Sequence, residues 1–364
     1  MPDMTAILAE AFPAGGYLAD ELDARGWTQA EFAEILGRPS QFVSEIISGK
    51  KEITRESAAQ IGAALGTSPE MWLNLQDAYY LWQQKRNPSL LRQLDEVKLR
   101  ARSNELAPVA LLRKRGIISA RDAYGEAEQL CELFGMESVF DEPSLPMAAR
   151  RSNHAEEVSS IQHTWLACAY RQAEGKTVGR FNKSLLTDLA PRVSQIVKRP
   201  EGFLDLPADF SEVGVRLIYV EAFPGSKIDG ASFLLNDTPV IALSGRGQRL
   251  DKVLFTLLHE AAHVVLGHIE NGLVVDDADG EQPDSREKEA DLLASSWIQK
   301  SKMDSLPARI SHDWVTRVAD KNGIHPIVVT GQLQKAGKVN WRSSLVKGAP
   351  TVVSYLQEWE NDSL

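Results

Sequence analysis

The most regular pattern of apolar and polar positions in the chain lies between Asp251 and Gly267. Val253, Leu254, Phe255, Leu257, Leu258, Ala261, Ala262, Val264, Val265 and Leu266 are apolar, and Lys252, Thr256, His259, Glu260 and His263 interrupt them at i, i+4, i+7, i+8 and i+11. That spacing predicts a helix opening near Leu250, buried over most of its surface and carrying one polar stripe. Upstream, Gly214 to Val220 alternates and is β-branched, which reads as a strand. Ala231 to Leu235 and Pro239 to Leu243 read as two further short strands around an Asn236-Asp237 turn. Downstream, a loop rich in Asp and Gly over 275–284 leads into a second amphipathic helix, from Ser285 through Trp297 and Ile298.

The first part of the chain has a different texture. Over about 13–85 it reads as short helices joined by tight turns. Thr28-Gln29-Ala30-Glu31 has the form of a capping box, opening a helix with Phe32, Ala33, Ile35 and Leu36 apolar and Gly37 as its stop. Pro39-Ser40 restarts the chain as a second helix with Phe42, Val43, Ile46 and Ile47 inward, ended by Gly49 and followed by Lys50 and Lys51. Helix, glycine turn and helix of this length form the helix-turn-helix pattern. The second helix of that motif enters the major groove by its N-terminal residues, here Ser40, Gln41 and Ser44, which are able to bond base edges. Gln29, Lys50 and Lys51 are placed to hold phosphates, and so is Arg55.

Charge refines this picture. The chain of 364 residues carries a net charge of -10, so nothing suggests bulk coating of nucleic acid. Residues 15–80 are themselves acidic, and DNA contact there must be local. Residues 83–122 carry six more positive than negative charges, which suits a solvated helical face or a linker facing phosphate or a partner. The apolar content of 43% and charged content of 25% exclude wholesale disorder. Cys131 and Cys168 are too few for a disulfide framework. No signal peptide and no apolar run long enough for a membrane helix is legible, so the expectation is a cytoplasmic protein with no membrane partner.

The chemistry concentrates in His259-Glu260-Ala261-Ala262-His263. Histidines at i and i+4 share a helical face and reach one zinc ion, and the Glu beside the first takes a proton from water. Burying these groups uncompensated costs several kcal/mol each, and a metal compensates all three. A third ligand leaves one position open. Glu287 and Glu289 on the following helix are both candidates, since each flanks the Ala290, Leu293, Ala294 and Trp297 face, and Glu287 also suits an acidic first turn. His268 lies off the stripe and reads as a capping or surface residue.

The run from Val253 to Gly267, with Glu287-Lys-Glu-Ala-Asp-Leu-Leu-Ala294, resembles the ImmA/IrrE family of zinc metallopeptidases over about 200–345. The resemblance implies a zincin-like fold, Zn²⁺ as cofactor, His259, His263 and Glu289 as ligands, and Glu260 as the catalytic base. It also implies a regulatory protease that cuts one repressor or partner. Pro13-Ala-Gly-Gly-Tyr-Leu18 and Leu65-Gly-Thr-Ser-Pro-Glu-Met-Trp-Leu-Asn-Leu-Gln76 resemble the antitoxin-type branch of the XRE-family helix-turn-helix regulators over about 12–82. That likeness implies operator binding as a homodimer, with Trp72 and Leu75 in the core.

The expected architecture is α+β and mostly α. A helix-turn-helix domain spans 1–85, a helical connector 86–200, and a zinc peptidase domain with a small sheet 201–364. The expected function is transcription regulation coupled to hydrolysis of a peptide bond in a repressor or toxin-like partner. The competing expectation is an antitoxin or regulator whose metallopeptidase-like domain only senses a ligand or clasps a partner.

Overall fold

The computed structural model describes residues 10–143, 158–272, 274–277, 285–298 and 306–361. The chain divides into two compact units, 1–98 and 99–364.

The first unit is helical: α1 (Ala14–Arg25), α2 (Gln29–Leu36), α3 (Ser40–Ile47), α4 (Arg55–Leu65) and α5 (Pro69–Gln84). Local chemistry sets the boundaries. Thr28 Oγ1 accepts from the Glu31 N–H while the Thr28 N–H donates to Glu31 Oε2 at 2.7 Å, closing the capping box that starts α2. Gly37, at φ 65°, ends it. Leu18, Leu22, Phe32, Val43, Ile61 and Trp72 form the core. Trp72 donates its indole N–H to Thr67 Oγ1, and the Gln76 amide exchanges two hydrogen bonds with the Ile53 backbone. Trp72 is thus a core residue, and Leu75 packs partly buried against the same core.

Helix α6 (Pro88–Leu106) is followed by α7 (Val109–Lys114), α8 (Ala123–Phe134), α9 (Ser160–Glu174), α10 (Lys183–Ile196) and α11 (Leu206–Glu212). Then come β1 (Arg216–Tyr219), β2 (Ile228–Leu235), β3 (Thr238–Leu243), α12 (Leu250–Leu266), β4 (Val274–Asp277), α13 (Ser285–Ile298), α14 (His312–Asn322), α15 (Pro326–Lys335) and α16 (Val353–Asn361). The four strands form a mixed sheet in the order β1-β3-β2-β4, with β1 parallel to β3 and both β2 pairings antiparallel. Asn236 and Asp237, at φ 49° and 58°, make the tight β2–β3 turn. Strand β4 falls where the sequence reads as the start of a loop.

Strand periodicity places the sheet between two layers. Leu217, Tyr219, Ile241 and Leu243 face a core shared with α10–α16, whereas Ile218, Val220, Val240 and Ala242 face a core built from 107–139 and 158–173 with Leu112, Leu130 and Trp165. Burial on both faces explains the nearly continuous apolar run of β3, Pro239 to Leu243. Residues 107–139 and 158–173 are therefore one wall of the sheet's own core.

Candidate functional site

The site is built on α12. Its apolar residues are buried on several sides, so the polar stripe is buried too: Glu260 and His263 are fully enclosed and His259 nearly so. Strand β2 makes room for Glu260. A Cβ at Gly230 would lie 2.9 Å from Glu260 Oε1 and 2.8 Å from Thr256 Cγ2, so only glycine lets the strand pass this close.

The structure brings together His259, His263 and Glu287, with ligand atoms within 4.8 Å of one another. His259 Nε2 lies 3.0 Å from Glu287 Oε2 and 3.0 Å from His263 Nε2, and Glu287 Oε1 is 3.6 Å from His263 Nε2. Glu289 is outside this group: it is 59% exposed, with Oε2 3.6 Å from His268 Nε2. The reason is angular. Two residues along a helix turn the side chain by about 200°, so Glu287 and Glu289 cannot face the same neighbour. Glu287, Asp291 and Ala294 share the stripe of α13 that meets α12.

Two further groups bear on the site. Asp291 Oδ1 accepts from His259 Nδ1–H at 3.0 Å, and its Oδ2 accepts from Lys335 of α15 at 3.0 Å. The Lys335 ammonium also sits 3.7 Å from the Phe255 ring centroid. His268, which reads from sequence as a cap or surface residue, is instead buried, with Nδ1 3.0 Å from His263 Nδ1. Neither Lys335 nor His268 carries a sequence signal tying it to the motif. Asp291 does, as the i+4 companion of Glu287.

The electrostatics of the group favour ionised carboxylates and a neutral His263. Burial pushes the His263 imidazole below its usual range. Burial alone would raise Glu287, but hydrogen bonds from His259 and His263 hold it far below the usual carboxylate range. Asp291 is likewise held low against burial, by His259 and Lys335. An ionised Asp291 only accepts, so it favours the His259 proton on Nδ1, and a cation held between Nε2 and Glu287 would take the place of the proton they share and meet the Nε2 lone pair. Two imidazole nitrogens and one carboxylate thus converge, a donor set suited to a divalent cation such as zinc with one position left open.

In the first unit, Gln29, Ser40, Gln41, Ser44, Lys50 and Lys51 are all exposed. Gln41 donates to Glu45 Oε1 at 2.8 Å, and Lys51 lies 4.9 Å from the Phe42 ring centroid and 3.7 Å from Glu45. Val43 and Ile46 hold the opposite face of α3 in the core. Among the described residues no helix is long and apolar enough to cross a membrane.

Comparison with known proteins assigns the two halves separately. A helix-turn-helix family matches residues 18–72, and the IrrE N-terminal-like domain family (Peptidase_M78) matches 212–298. An uncharacterised HTH-type transcriptional regulator, YddM of Escherichia coli, is 31% identical over 78 residues, covering 21% of this chain and 83% of that protein. Antitoxin HigA-1 of Vibrio cholerae is 41% identical over 61 residues, covering 17% of this chain and 57% of that protein. A solved structure of a putative antidote protein of a plasmid maintenance system from Nostoc punctiforme is 37% identical, covering 24% of this chain and 96% of that one at a TM-score of 0.22. The chain belongs to the XRE-type helix-turn-helix regulators and carries an IrrE N-terminal-like domain of the Peptidase_M78 family around the His259, His263 and Glu287 group.

Proposed function

We propose that the second unit is a zinc-dependent peptidase that cuts one regulatory protein, a repressor or a toxin-like partner, under a DNA-binding first unit. The observation that carries this reading is the enclosed Glu260 next to the converging His259, His263 and Glu287 donors. A purely structural metal site has no use for a second buried carboxylate. His259, His263 and Glu287 would hold the cation, which when bound supplies Lewis acidity to a water and to the scissile carbonyl. Glu260 accepts the proton of the attacking water and returns it to the leaving amine. Asp291 keeps His259 in the tautomer that faces the site, and Lys335 neutralises Asp291 from the far side.

In the first unit the exposed N-terminal end of α3, with Ser40, Gln41 and Ser44, reads base edges. Gln29, Lys50 and Lys51 hold phosphates, and two copies bind a two-fold operator. The likeness to an antitoxin supports the toxin-like partner as one candidate substrate. The test incubates the purified chain with candidate repressors and with itself, and looks for a single zinc-dependent cut. Glu260→Gln at equal zinc content should abolish it. A cut that survives this change refutes the mechanism. Operator control that survives it, with no cut by either protein, leaves a non-catalytic sensing module.

A further inference from the structure

Two polar groups beside the candidate metal centre take no part in the chemistry above. Gly267, at φ 77°, ends α12 in the left-handed conformation and turns the chain back, so that His268 falls against His263. The two rings meet edge to face, centroids 5.0 Å apart, with Nδ1 3.0 Å from Nδ1. His268 is buried, and its outer nitrogen faces the exposed carboxylate of Glu289 at 3.6 Å.

The direction of the His263–His268 hydrogen bond decides what the site can hold. If His268 donated, neutral His263 would carry its proton on Nε2, aimed at His259 Nε2 only 3.0 Å away, and that proton would occupy the place of a cation. If His263 donates, its Nε2 lone pair faces the site. Glu289 favours the second arrangement. Its negative charge favours the His268 proton on Nε2, which leaves His268 Nδ1 an acceptor.

We propose that His268 and Glu289 form a positioning pair that fixes His263 as its Nδ1–H tautomer and so sets the affinity of the site for a divalent cation. The proposal rests on the metal-site reading above. It gives Glu289 a role outside the ligand set and His268 a role that its position off the stripe conceals.

The test measures zinc affinity of the full chain by competition with a chelator, and the visible spectrum of the cobalt(II)-loaded protein. His268→Phe keeps a ring but no acceptor and should weaken zinc binding about 10- to 100-fold, the usual effect of losing an outer-sphere partner. His268→Asn places an amide oxygen where Nδ1 was and should recover most of that loss, with the wild-type cobalt spectrum. Glu289→Leu, an exposed change that leaves the core intact, should cause a smaller loss of the same kind. Zinc binding by His268→Phe within twofold of wild type overturns the pair, and so does His268→Asn as weak as His268→Phe. An unchanged Glu289→Leu removes Glu289 from it. Wild-type protein that takes up no stoichiometric zinc overturns the metal-site reading itself, and the pair with it.

Discussion

Gly230→Ala tests the packing that holds Glu260 in place. Gly230 is paired on both sides within the sheet, to Leu243 of β3 and Asp276 of β4, so the strand cannot back away from α12. Its φ is not positive, and alanine meets no backbone penalty there. The cost is steric. The new methyl would lie 2.8 Å from Thr256 Cγ2, 2.9 Å from Glu260 Oε1 and 3.0 Å from Glu260 Cγ, each well inside ordinary contact. Overpacking of this kind costs about 1–3 kcal/mol. Stiffening the unfolded chain returns roughly 0.4–1 kcal/mol, so the net expectation is a loss of about 1–2 kcal/mol. Truncating Glu260 removes two of the three close contacts. A double-mutant cycle with Glu260→Ala, read by urea unfolding, should therefore show a coupling of about 1 kcal/mol. In the peptidase reading the displaced carboxylate also costs about 100-fold in cleavage, with zinc content unchanged. Equal effects of Gly230→Ala with and without the Glu260 side chain would refute the argument, as would any gain in stability.

Other expectations follow from the same geometry. Glu287→Ala should abolish stoichiometric zinc as the His259→Ala/His263→Ala double change does, whereas Glu289→Ala should still fill with zinc at saturating concentration; elemental analysis after dialysis distinguishes them. Gln41→Ala should cost roughly 1–3 kcal/mol per half-site and relax base preference, and Lys50→Ala should weaken all sequences alike and flatten the salt dependence, both read by operator titration. His325 caps α15 by accepting the Ile327 N–H on Nδ1 at 3.1 Å, and burial holds its pKa below the usual value, Asp251 opposing this and Lys198 reinforcing it. Its contribution is therefore complete above about pH 6.5 and is lost as the pH falls through the lower folded-state value, so unfolding followed from pH 8 to 5 should show a steeper fall in wild type than in His325→Asn, whose cap does not titrate.

The helix-turn-helix was legible because its signals are local. A capping box, two glycine stops and an inward face at i, i+3 and i+4 lie within about twenty residues. The buried helix and its polar stripe were legible for the same reason, since His259, Glu260 and His263 report one face of one element. The third donor was not local. Choosing between Glu287 and Glu289 requires the rotation of α13 about its axis relative to α12. Both glutamates flank the Ala290 and Ala294 stripe, so the apolar pattern fixes that rotation only loosely. What resolves it is Asp291: bonded to His259 at one end and to Lys335 at the other, it pins the rotation, and Glu287 one turn earlier follows it inward. Lys335 lies 44 residues beyond Asp291 and His268 just past a left-handed glycine, so neither falls on a periodicity that points to the site. Strand β4 escaped for a related reason. Its Val274-Val275-Asp276-Asp277 has too few apolar positions to read as a strand, and it is ordered by its antiparallel pairing to Ala231 and Ser232 rather than by its own propensity.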